Sequence, residues 1–146
     1  MTDDFDRQLC EECPNLYADR HASMRETCMC WGFDTGPGWN KLIRDLSLKL
    51  EALILQLPEE ERQYYRAAQV KEKYGGLRFY MIGATDEMFD LIDQAEEDSC
   101  KICEECGEPG EERPGGWIKT LCDKCWSEQE QKQAERLIAY KRKTNA

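Results

Sequence analysis

The chain has 146 residues, which suits one domain or one domain with a small appendage. It carries 30 acidic against 20 basic side chains for a net charge of −10, with 40% apolar and 34% charged residues. No apolar run nears the roughly 18–20 residues of a membrane span, and so negative a chain is repelled at long range from phosphate backbones and anionic membranes, which makes a basic protein surface the better-matched partner.

The opening "MTDDFDRQ" is acidic and has no apolar stretch behind it, the reverse of a secretory signal, so a cytoplasmic location is expected. Thiols stay reduced there, and nine cysteines then point to metal rather than to disulfides. Residues 1–38 are irregular in pattern, holding Cys10, Cys13, Cys28, Cys30, the lone His21 and the glycine-rich "WGFDTGPGW". The "GPG" at 36–38 is a break signal. Behind it Trp39, Ile43, Leu46, Leu50, Leu53 and Leu57 trace one face of a helix closed by Pro58. With fewer than three heptads, that face reads as intramolecular core rather than as a coiled-coil seam.

"PEEERQYY" reads as a turn or short helix with proline at its start. "AAQVKEKYGGLRFYMI" then has the form of a β-hairpin turning at Gly75-Gly76, with Leu77, Phe79 and Met81 on one apolar face. Thr85 caps a following helix, with Asp86 and Glu87 near its positive end and Met88, Leu91, Ile92 and Ala95 as its buried stripe. The predicted fold class is α+β, a helix–β-hairpin–helix core with a C-terminal zinc-ribbon-like knuckle module. Residues 1–98 form the α+β domain with its irregular N-terminal segment, 99–127 the zinc-ribbon-like module, and 128–146 a C-terminal helix or tail ending in Lys141, Arg142 and Lys143.

Cys103-x-x-Cys106 and Cys122-x-x-Cys125 stand fifteen residues apart, the spacing of a tetrahedral zinc site. Each C-x-x-C turn aims two thiolates at one point, Gly107 lets the chain fold back, and "EPGEERPGGW" supplies a pliant loop between the turns. A zinc ribbon or a related treble-clef-like knuckle is the expected outcome. Cys100 competes through the overlapping Cys100-x-x-Cys103. Four thiolates fill every zinc position and leave none for water, so a structural rather than a catalytic Zn2+ is expected. Residues 98–128 hold four cations against eight carboxylates, a poor phosphate reader. Cys10, Cys13, Cys28 and Cys30, with His21 as a substitute ligand, leave a second zinc open, although C-x-C is a less regular half-site.

Other candidates are weaker. Trp31, Asp34 and Trp39 of "WGFDTGPGW" could form a binding loop, or turn inward as core. Lys71, Lys73 and Arg78 form the sole basic, aromatic-interleaved patch, the best place for nucleic acid or an acidic partner. His21 beside Arg20 and Arg25, together with Asp34, is the nearest approach to hydrolase chemistry. Taken together, "CPNLYADRHASMRETCMCWGFDTGPGWNKLI", "QVKEKYGGLRFY" and "CEECGEPGEERPGGWIKTLCDKC" resemble a family of small uncharacterised proteins from bacteriophages, prophages and bacteria, over roughly residues 13–126. The resemblance implies the module at Cys103, Cys106, Cys122 and Cys125 and a mobile-element setting, and it carries no catalytic residues. The expectation is a non-enzymatic, zinc-stabilised acidic protein that engages a protein partner. A nucleic-acid regulator is the alternative, and a hydrolase comes third.

Overall fold

The computed structural model describes residues 2–22 and 27–145, the side chain of Trp31 excepted. Arg25 lies outside the described residues. Part of the stretch expected to be irregular forms helix α1 (Asp3–Glu12). Thr2 caps it by accepting from the Phe5 N–H at 3.3 Å, and Asp3, Asp4 and Asp6 sit at the positive end of the helix. Phe5 packs partly against the core, and Leu9 and Cys13 are fully buried. The tight turns that follow are tied to Glu51, whose carboxylate accepts from the Asn15 and Leu16 N–H groups at 2.8 and 2.9 Å.

The glycine-rich stretch is not only a break. Phe33–Asp34 forms β1, and a 3-10 turn over Pro37–Trp39 leads into helix α2 (Asn40–Leu55). Phe33 turns inward with its ring 4.9 Å from that of Tyr17, edge to face. Helix α2 buries Ile43, Leu46, Leu50 and Ile54, each worth about 1.5–3 kcal/mol. Ile54 replaces the expected Leu53 because a 3.6-residue helix drifts about 20° per heptad away from a strict 4-3-4-3 spacing. A 3-10 stretch over Glu59–Tyr64 follows.

The hairpin pairs β2 (Ala67–Lys73) with β3 (Gly76–Met81), and β1 adds to β2 in parallel, giving the order β1-β2-β3. The turn lies one residue earlier than expected. Its two positive-φ residues are Tyr74 (53°) and Gly75 (82°), and Gly76 already pairs with Lys73. Helix α3 (Asp86–Ser99) starts at Thr85, whose hydroxyl accepts from the Met88 N–H as expected. It lies along β3 and closes that free edge: Ser99 Oγ and Glu96 Oε2 accept the Leu77 and Phe79 N–H groups at 2.9 and 3.0 Å. Val70, Leu77 and Phe79 are buried on the helix side. Strand alternation therefore turns Lys71 and Arg78, which are cross-strand partners, to the opposite face, with Asp34 beside Lys71.

After α3 come a tight turn over residues 100–107, a two-stranded ribbon of β4 (Glu111–Arg113) and β5 (Lys119–Leu121), and helix α4 (Asp123–Thr144). The boundary expected after residue 127 falls inside α4, which is one continuous helix of 22 residues. The 100–107 turn sits on the "GPG" segment. The Gly38 N–H donates to the Glu104 carbonyl at 2.6 Å, and the Trp39 indole donates to the Ile102 carbonyl at 2.9 Å. From the ribbon, Thr120 Oγ1 donates to the Gly75 carbonyl at 2.5 Å. A Cβ on Gly38 would run into the Cys103 carbonyl oxygen and lie 2.6 Å from the Glu104 carbonyl carbon. Gly38→Ala should therefore shift the urea midpoint downward by an amount equivalent to about 1–3 kcal/mol. Gly116→Ala, which meets nothing within 4 Å, should leave it unchanged.

Candidate metal centre and the seam beside it

Cys103 and Cys106 flank a turn in which the Gly107 N–H returns to the Cys103 carbonyl at 2.9 Å and Gly107 adopts φ 83°. The left-handed conformation is what folds the chain back behind the second thiol. Cys122 is the N-cap of α4, and Cys125 lies in the first turn of that helix. The second pair is therefore set by a helix start rather than by a second knuckle between strands. Knuckle, hairpin and helix follow one another in that order along the chain.

The four sulfurs lie within 4.8 Å of one another, and Cys106 Sγ is 3.6 Å from Cys122 Sγ. A tetrahedral zinc with ~2.3 Å bonds spaces its sulfurs by ~3.8 Å, so the arrangement fits such an ion. All four cysteines are free thiols. The Cys125 N–H donates to Cys122 Sγ at 3.4 Å, and this bond at the helix start lowers the Cys122 thiol to about 7, favouring the thiolate a metal needs. Behind the centre Arg113 donates to the Leu121 carbonyl at 3.1 Å and to Asp123 at 2.7 Å, fixing the ribbon to the helix. Cys100 is not part of the group: it is the exposed C-cap of α3, and its thiol donates to the Glu96 carbonyl at 3.7 Å.

The N-terminal cysteines form no such group; among the described residues the Cys103, Cys106, Cys122 and Cys125 set is the one that converges. Cys13 is core, and burial pushes its thiol up to about 12. Cys10, raised to about 11 first by burial and then by Asp6, donates to the Asp6 carboxylate at 3.7 Å. Cys30 donates to the Thr27 carbonyl at 3.3 Å, and Cys28 is exposed. C-x-x-C spacing there reflects helix periodicity, with Cys13 continuing the apolar line of Leu9 rather than aiming at an ion.

Of the expected binding loop, Trp39 is 0% exposed and belongs to the core and to the knuckle's seat, not to a contact surface. The side chain of Trp31 lies outside the described residues. Asp34, Lys71, Lys73 and Arg78 do converge, on the sheet face away from the helices. His21 and Asp34 do not: His21 lines a cavity of about 320 Å³ with Arg7, Arg20, Asp3 and Asp6, while Asp34 lines another. Arg20 is committed to Asp6, at 2.7 Å, and to the Cys30 carbonyl.

Two neighbouring cavities mark the seam between hairpin and ribbon. One, about 350 Å³, is lined by Lys71, Lys73, Tyr74, Trp117 and Ile118 among others. The other, about 240 Å³, is lined by Asp34, Glu72, Glu104, Glu105, Trp117 and Lys119 among others. Trp117, 71% exposed, borders both, and no sequence pattern singled it out beyond the glycines before it. Glu104 is 4% exposed; its Oε2 accepts from the Gly36 N–H at 2.9 Å, and burial raises its pKa against the pull of that bond and of Lys119.

A 1:1 metal content, read by elemental analysis, should fall to near zero in Cys103→Ser and survive in Cys13→Ser. Chelation should remove stabilisation on the order of 10 kcal/mol from this module, seen as lost amide-exchange protection at Thr120 and Leu121. Against protein-family models, curated proteins and solved structures, the chain finds no match.

Proposed function

We propose that this chain is a non-enzymatic, zinc-stabilised binding protein of the cytoplasm that engages a protein partner through its acidic surface, in the mobile-element setting implied by the resemblance of its three sequence blocks. The observation that carries this reading is the all-thiol donor set. Four thiolates satisfy a tetrahedral ion completely, so zinc there acts as a brace rather than as a Lewis acid. The separation of His21 from Asp34 removes the arrangement that a hydrolase using both would need. What remains for function is surface, and beside the braced module that surface is concave, aromatic and rich in carboxylates.

A second reading has a specific observation in its favour. Lys71, Lys73 and Arg78 share the open face of the sheet, with Tyr80 exposed on the same strand as Arg78. Cations and a ring on an uncovered sheet are what a single strand of nucleic acid would use. Asp34 stands in the same row and opposes it.

Fluorescence anisotropy separates the two. Labelled single-stranded and duplex oligonucleotides should bind weakly or not at all, while a labelled basic protein binds and retains its affinity in the triple variant Lys71→Gln, Lys73→Gln, Arg78→Gln. If oligonucleotides bind with an affinity that falls about 20-fold (single strand) or about 40-fold (duplex) between 50 and 200 mM salt, as three phosphate contacts require, and the triple variant abolishes that binding, the nucleic-acid reading replaces the one proposed.

A further inference from the structure

We infer that the smaller seam cavity is a receptor for one arginine side chain of a basic peptide segment in the partner. This rests on the protein-binding reading above and adds the place and the chemistry of contact. The cavity, about 240 Å³, has room for a guanidinium head. Its lining gathers carboxylates from three separate parts of the chain: Asp34 on β1, Glu72 on β2, and Glu104 and Glu105 in the metal knuckle. Lys119 is the single lining cation.

Acidic residues crowd many surfaces of a chain with this charge, so the cluster alone would mean little. The second observation is Glu104. It is 96% buried by its 4% exposure, yet its Oε1 has no hydrogen-bond partner. Its nearest cation, Lys119 Nζ, stands 3.9 Å away, beyond hydrogen-bond range. A buried carboxylate oxygen left without a donor is costly. Glu104 lines the cavity, so a donor that enters there and displaces the side chain slightly would relieve it.

Arginine fits better than lysine. Its planar fork of N–H donors can serve two carboxylates at once, and its flat guanidinium can lie parallel to an aromatic face, which a compact ammonium cannot do. Trp117, largely exposed at the rim, offers such a face. The adjoining cavity, where Lys71 and Lys73 stand beside Tyr74, continues the groove with opposite charge, so the residues flanking the arginine are expected to be neutral or acidic on that side.

The test uses the full zinc-loaded chain and a blocked Gly-Arg-Gly tripeptide, with the citrulline tripeptide as its uncharged isostere, followed by amide and indole NMR shifts. Saturable shifts of the Trp117 indole and the Gly36 amide with arginine, absent with citrulline, are the expected result. Glu72→Gln with Glu105→Gln should weaken binding roughly fivefold to tenfold, whereas the matched change Glu59→Gln with Glu60→Gln on the distant 3-10 stretch should alter it by about twofold or less. Trp117→Ala checks the aromatic contact without touching the core. Shifts scattered over the acidic surface, or equal losses in both double variants, overturn the arginine site. If a labelled basic protein still binds in that case, the broader protein-binding reading survives. Shifts at Trp117 that grow with protein concentration alone would assign the cavity to the Lys141–Lys143 end of a second copy and also overturn it. Oligonucleotide binding at the same residues would sink both readings.

Discussion

The structure turns on the contact between Gly38 and the knuckle. A backbone N–H meets the Glu104 carbonyl at 2.6 Å, at a spot where even one methyl group would collide. Close approach of two backbones is possible only without a side chain between them. The Trp39 indole, one residue on, reaches the Ile102 carbonyl from inside the core. The cysteine module is thus hydrogen-bonded to the 3-10 turn that leads into the main helix.

This contact explains why three separated stretches of sequence belong together. The "GPG" segment supplies the seat, the "CEEC" turn sits on it, and the Gly75 carbonyl in the hairpin turn accepts from Thr120 of the β4–β5 ribbon. Gly75 also has a positive φ and lies close under Ile118 and Lys119, so a side chain there would be both strained and crowded. The three blocks are far apart in sequence, yet they meet around one corner of the molecule. The acidic seam lies at that same corner, which ties its shape to the integrity of the metal site.

Much of this was legible beforehand. The zinc-type spacing gave the four converging thiols, the alternation of Leu77, Phe79 and Met81 gave the buried side of β3, and Thr85 gave the start of α3. Other features were hidden for identifiable reasons. Helix α1 is hard to read because its apolar line is only Phe5, Leu9 and Cys13, amid acidic residues and in a C-x-x-C spacing that also suits a metal. Strand β1 is two residues long and pairs in parallel with a strand more than thirty positions away, a relation local pattern does not carry. Tyr74 in a positive-φ turn position runs against its own preference, and the expectation followed the glycines instead. Trp117 and Glu104 gain their interest only from neighbours brought by folding.

Helix α4 is tied to the four-cysteine cluster by its N-cap Cys122 and its third residue Cys125, and beyond Trp126 it is exposed along almost its whole length. At 1.5 Å per residue it reaches about 33 Å. Its segment from residue 123 onward is net positive, six cations against four anions, while the preceding residues carry a net −12. The chain therefore carries unlike net charge on its packed body and on its projecting helix, which favours one orientation as it nears a charged surface. The four converging thiols stand at the root of that helix, where a bound ion would fix the direction of this charge separation.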